Sequence, residues 1–234
     1  MKRFWSVVTV GDDRVVALDG KPVRTPGRVP LALPTVSLAQ AVAAEWRGVG
    51  DTVDPRAMPL TGLANAAIDR IAPDRATFAA GLARYGETDL LCYRAETPEP
   101  LVARQAAMWD PVIAWAQGRY DVHVVVATGI VHRPQPPATL ARLGEAVGAL
   151  DAWTLAGLSP LVSVSGSLIL ALAALEGAIG GEGLWAAAEV DEEWQADQWG
   201  RDPLAEAARD GRRRDLDAGL AFLAALRANG SGGG

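Results

Sequence analysis

The sequence is poor in the side chains on which most enzyme chemistry rests. Its 234 residues include one cysteine, Cys92, and two histidines, His123 and His132. A lone cysteine makes no intrachain disulfide and no zinc site, which suits a reducing compartment. The two histidines lie nine apart around a strand-like run, without the helical spacing of a zinc hydrolase, and read as surface or strand-end residues. Cys92 sits in the apolar run Leu90-Leu91-Cys92-Tyr93 and reads as a small core hydrophobe. Lysine occurs only at positions 2 and 21. The one Gly-Lys pair, Gly20-Lys21, is followed by Pro22 in a hairpin-like turn, so no phosphate-cradling loop is present. Ser165-Gly166-Ser167 lacks the Gly-x-Ser-x-Gly frame of a nucleophile elbow and the strand before it. The sequence thus offers no catalytic set, no metal site and no cofactor-binding motif.

Two further absences narrow the partners. A net charge of -6 and a pI near 5.0 argue against nucleic acid or an anionic membrane surface as the principal partner. The longest apolar stretch, Leu161 to Ile179, is short of the roughly 20 residues a membrane span needs and carries three serines. It reads instead as one buried helix, capped by Ser159 with Pro160 in its first turn, and no stable membrane insertion is expected. The N-terminus enters a strand-like pattern at once, without a signal-peptide core, and the abundance of Arg, Ala and Gly suits a bacterial cytoplasm.

Half the residues are apolar and 21% charged, the composition of a globular protein. The first sixty residues read as a β-meander. Phe4 to Val10 and Arg14 to Leu18 are strand-like, Asp19-Gly20 suits the positive φ of a tight hairpin, and Lys21 to Thr25 returns. Thr35 then caps a helix through Trp46. From Leu60 the apolar period turns helical, with a long helix from about Pro100 to Ala116 that Pro111 is expected to kink or break. Val122 to Val131 reads as a late strand that could return to the N-terminal sheet. The expected fold class is α+β. A β-rich domain over 1–60, possibly joined by a strand at 121–131, precedes an α-helical domain over 61–228 and a flexible Gly/Ser tail at 229–234.

The most informative stretch is Trp185 to Gly200, read as one helix carrying tryptophans and acids. At 3.6 residues per turn, positions 185, 188, 192, 195 and 199 share a face, so Glu192 falls in line with Trp185, Gln195 and Trp199. Glu189, Glu193 and Asp197 read as a solvated acidic face. A carboxylate in an aromatic stripe is either paired with a base, with Arg201, Arg212, Arg213 and Arg214 as candidates, or turned towards a partner. Both readings stand. Eight tryptophans against three Tyr and three Phe are a second unusual feature, and Trp46 and Trp199, each near a helix end, are the two expected to be exposed.

Several blocks are similar to a known family. Arg3-Phe4-Trp5, Leu18-Asp19-Gly20-Lys21-Pro22-Val23-Arg24-Thr25-Pro26, Ala44-Glu45-Trp46 and Met58-Pro59-Leu60-Thr61-Gly62-Leu63-Ala64-Asn65 come first. Tyr93-Arg94-Ala95, Gln105, Trp109-Asp110-Pro111, Gly166-Ser167 and Asp191-Glu192-Glu193-Trp194-Gln195 with Trp199-Gly200 follow in order. Together they resemble the ATP synthase assembly chaperones called Atp-twelve, found in the mitochondrial matrix and in alpha-proteobacteria. The resemblance implies a β-rich N-terminal part and a helical C-terminal part; the missing catalytic set points to a non-enzymatic role, and the free protein is expected to be monomeric. Its client would be the unassembled alpha subunit of the ATP synthase catalytic head. Glu192, Glu193, Trp194, Gln195, Trp199 and Trp46 are the expected partner-binding residues. The alternative is a small-molecule binder or carboxylate-dependent enzyme with a Trp-lined cleft around Glu192.

Overall fold

The computed structural model describes residues 2–129, 131 and 133–228. The architecture is α+β, with a small antiparallel sheet at the N-terminus and helices beyond it. The chain forms two compact units. The first holds the chain up to Arg75, Asp151–Gly157 and the chain from Ala218; the second holds Ala76–Leu150 and Leu158–Asp217. The expected Gly/Ser tail at 229–234 lies outside the described residues, as does His132.

In the first unit, strands β1 (Val8–Val10), β2 (Val16–Leu18) and β3 (Lys21–Pro22) pair antiparallel in sequence order. The β2–β3 turn is Asp19-Gly20, with φ of 46° and 78°, as a two-residue hairpin with both central residues left-handed requires. Asp19 also accepts the amides of Ser6 (3.1 Å) and Val7 (2.8 Å), which ties the entering chain to the turn. Helix α1 (Val36–Gly48) packs on this sheet through Leu38, Ala39, Val42 and Ala43. Its cap is Thr35, whose hydroxyl accepts from Leu38 N at 3.1 Å. Glu45 then captures the start of helix α2 (Pro59–Ala66), accepting from Leu60 N (2.7 Å), Thr61 N (2.8 Å) and the Thr61 hydroxyl (2.6 Å). A carboxylate on otherwise unpaired first-turn amides, at the positive end of a helix dipole, fixes where α2 begins.

The second unit holds α3 (Arg75–Ala83) from its second residue on and a short parallel pair, β4 (Tyr93–Arg94) with β5 (Ala127–Thr128). Among the described residues the late strand is two residues long and pairs with β4, not with the N-terminal sheet. Side chains satisfy the backbone before it. Gln135 both accepts from Val125 N (2.9 Å) and donates to Val125 O (2.7 Å), and the Thr139 hydroxyl donates to His123 O (2.7 Å). Helix α4 (Glu99–Tyr120) runs through Pro111 without a break. The carbonyl that proline leaves without its donor belongs to exposed Ala107, where water can serve it. After α5 (Pro137–Gly148), the expected single buried helix is two, α6 (Ala152–Ser165) and α7 (Leu168–Leu175). Asp151, not Ser159, caps the first, accepting from Thr154 N at 2.7 Å, so Pro160 falls inside it. Gly166 at φ 66° ends α6, and Ser167 caps α7 by accepting from Leu170 N at 2.9 Å. No helix among the described residues is long and apolar enough to cross a membrane. The chain closes with α8 (Gly181–Ala188), α9 (Val190–Trp199) and α10 (Pro203–Arg227).

Candidate functional site

The Trp185–Gly200 stretch is not one helix. Glu189, at φ −101° and ψ 13°, separates α8 from α9, so Trp185 no longer shares a face with Glu192 and Trp199. Trp185 is buried beneath two guanidiniums of α10, Arg209 at 5.2 Å and Arg213 at 5.5 Å from its ring centroid. The break reverses the roles of the acids. Glu189, expected on a solvated face, is only 3% exposed and pairs with Arg209 and Arg212, each at 2.9 Å. Four residues after Trp185, it follows that side chain onto the buried side, which i,i+4 spacing could have disclosed. Glu193, half-buried, pairs with Arg209 and with Arg201 at 2.6 Å. Asp197 meets Arg104 at 3.1 Å on the surface.

Glu192 is the exception. It is exposed and, among the described residues, has no ion-pair partner. Its carboxyl is held above the ordinary carboxylate range, chiefly by partial desolvation, with the charges of Glu189 and Asp191 adding and that of Arg212 opposing. Within α9 proper, Glu192, Gln195 and Trp199 keep the spacing of one face, and all three are exposed. Trp199 is 79% exposed, as expected for it, and Leu204 in the first turn of α10 is 81% exposed. Trp194 is half-buried. Trp46 overturns its expected exposure. Only 9% exposed, it packs edge-on against Trp5 at 5.3 Å in the first unit, because it lies on the buried stripe of α1 with Val42 and Ala43.

Between α9 and the start of α10 lies an open cleft of about 240 Å³. Glu192 and Glu193 stand on one wall, Asp202 and Glu206 on the other, with Ala196, Ala205 and Ala208 between. Arg201, Arg209 and Arg212 line it as well. Gly200, at φ 86°, turns the chain from α9 into the corner, and Asp202 opens α10 by accepting from Ala205 N at 3.1 Å. The cleft is thus a charged groove, and exposed Trp199 and Leu204 are chain neighbours of its lining residues Gly200 and Ala205.

Behind this face stands a frame that sequence reasoning did not assign. Gln105 on α4 is buried and bridges two elements, accepting from Ala95 N (2.8 Å) and donating to Asp191 (2.7 Å) at the start of α9. Trp109, fully buried, donates its indole N–H to Ala187 O at 2.7 Å. Arg94 lies over the Trp109 ring at 5.1 Å and pairs with Asp110 at 2.7 Å. Asp89, also fully buried, accepts from Leu91 N (3.1 Å), the Ser167 hydroxyl (2.7 Å) and Ile169 N (3.0 Å), fastening the start of α7. Burial raises its carboxyl to about 6. Burial, then the Asp89 charge, pushes the Cys92 thiol up to about 12, in keeping with a core role. No cluster of metal-ligating side chains occurs among the described residues.

Comparison with known proteins gives a consistent picture. The sequence profile of the family described as ATP12 chaperone protein matches residues 2–117. The structure of Atp12 from Paracoccus denitrificans is similar over 97% of this chain and 98% of its own, at 43% identity and a TM-score of 0.90. The D202K mutant of the same protein matches with the same coverage and identity at a TM-score of 0.91. A protein of Agrobacterium tumefaciens described as a candidate chaperone is 40% identical, over 97% of this chain and 86% of its own, with a TM-score of 0.92.

Proposed function

This chain belongs to the ATP12 chaperone family, and from that membership we propose that its client is the alpha subunit of the ATP synthase catalytic head. The observation that carries the reading is the likeness to Atp12 along nearly the whole length of both chains, at 43% identity. An unassembled subunit exposes an apolar interface that otherwise drives aggregation. A chaperone that binds that interface protects it by mass action and is displaced by a tighter partner, without chemistry of its own. The compartment that suits a lone buried thiol and bacterial relatives is the bacterial cytoplasm.

The contact face we assign is the exposed side of α9, Glu192, Gln195 and Trp199, extended by Leu204. Glu193 and Trp194 support it from the half-buried side, Glu193 through Arg201 and Arg209. Trp46 takes no part in it, being buried. An exposed tryptophan beside a free carboxylate joins the aromatic anchor and the unmatched charge that hot spots use. An enzyme built around Glu192 would need an enclosed, tryptophan-lined pocket, and the open groove lends that reading no support.

The test is direct. The isolated alpha subunit from the same organism, diluted from denaturant, should stay soluble in the presence of this protein and co-elute with it on size exclusion. Equal light scattering with and without the protein, and no shared peak, would refute the client assignment.

A further inference from the structure

The carboxylates around the cleft between α9 and α10 are not equally occupied. Glu193 is held by Arg201 and Arg209, and Glu206 by Arg201 at 2.9 Å. Arg209 and Arg212 are both engaged by buried Glu189. Asp202 is committed to capping α10. Counting the lining alone, four carboxylates face three guanidiniums, one negative charge in excess, and Glu192 is the acid with neither an ion pair nor a capping duty. Partial desolvation makes that solitary charge unfavourable, and a cation brought beside it relieves the cost. Between the charged walls, Ala196, Ala205 and Ala208 leave a small apolar surface. That combination suits a long side chain with a methylene stem and a cationic head.

We infer that this cleft receives one lysine or arginine side chain of the protein client, its stem over the three alanines and its head at Glu192, while Trp199 and Leu204 beyond the cleft take an apolar neighbour of that residue. The inference rests on the client reading above and specifies its chemistry. Glu192 and Trp199 lie seven residues apart on α9, about 10 Å at the helical rise. The client segment therefore presents its basic and apolar side chains at that spacing, as two turns of a helix or three residues of a strand do. Free, the three arginines of the cleft would draw an acidic segment; each is already held by a carboxylate of this chain, so the unpaired acid decides the sign.

The experiment is equilibrium binding of the full-length protein to the isolated alpha subunit, at low and at high salt. Two variants are compared with wild type: Glu192→Gln, which removes the charge, and Ala208→Leu, which fills the apolar surface and leaves the charge. Ala208 is exposed, so its substitution should not disturb folding. Expected are a loss of affinity of about tenfold for Glu192→Gln, with a weaker salt dependence, and a comparable loss for Ala208→Leu with the salt dependence retained. Wild-type affinity in either variant overturns the inference while leaving the client assignment standing. No binding by wild type overturns both. If Glu192→Gln melts early, Ala208→Leu alone decides.

Discussion

Glu189 and Glu192 lie three positions apart and have opposite environments. Glu189 is buried and pairs with two arginines; Glu192 is exposed and makes no ion pair among the described residues. Their amide substitutions should therefore diverge. Glu189→Gln leaves Arg209 and Arg212 without their buried counter-charge, at a cost of about 2 kcal/mol. That is less than for a fully buried pair, because both guanidiniums keep some contact with water. Glu192→Gln should change stability by less than about 0.5 kcal/mol. Urea unfolding of the two variants beside wild type checks this, and equal losses would show that the roles are misassigned. The i,i+4 spacing from Trp185 points Glu189 to the buried side, but a single helix over Trp185 to Gly200 puts Glu192 in the same stripe and hides the contrast. Moving the helix start to Val190 moves every face behind it.

At the scale of elements, polar side chains set the boundaries, and they account for both what the sequence disclosed and what it hid. Thr35 and Asp19-Gly20 act on their immediate neighbours, so α1 and the first hairpin were readable from local chemistry. Ser165, Gly166 and Ser167 looked like packing spacers inside one apolar helix. Their role as a stop and a start depends partly on Asp89, seventy-eight residues before Ser167. Long-range capping of that kind leaves no periodicity to read. Asp89 also gives a pH prediction. Its folded-state value of about 6 lies above the ordinary 3.8, so the folded form binds this proton more tightly. The stabilisation is complete below about pH 4 and is lost as pH rises through about 6. Wild type should thus gain up to about 3 kcal/mol on Asp89→Asn as pH falls from 7 to 4. Urea midpoints across that range measure it, and a pH-independent difference would contradict it.

At the scale of the molecule, several of the blocks shared with the family are structural ties. Glu45 caps α2, Arg94 covers Trp109, Trp109 reaches Ala187, and Gln105 holds Asp191. Their order along the chain was legible, whereas the convergence of Arg94, Gln105 and Trp109 behind α9 required the fold. The same holds for the two tryptophans expected to be exposed, one of which the fold buries and the other presents. Under the proposed function, the exposed face of α9 and the corner beyond it contact the alpha subunit of ATP synthase. The most direct measurement replaces Gln195 with a photo-crosslinking residue, leaving Glu192 and Trp199 intact, and illuminates the mixture with isolated alpha subunit. A single crosslinked product, joined to a client peptide carrying a lysine or arginine near an apolar residue, is the predicted result. Efficient crosslinking from the exposed Val7 position of the N-terminal unit, with none from Gln195, would contradict it.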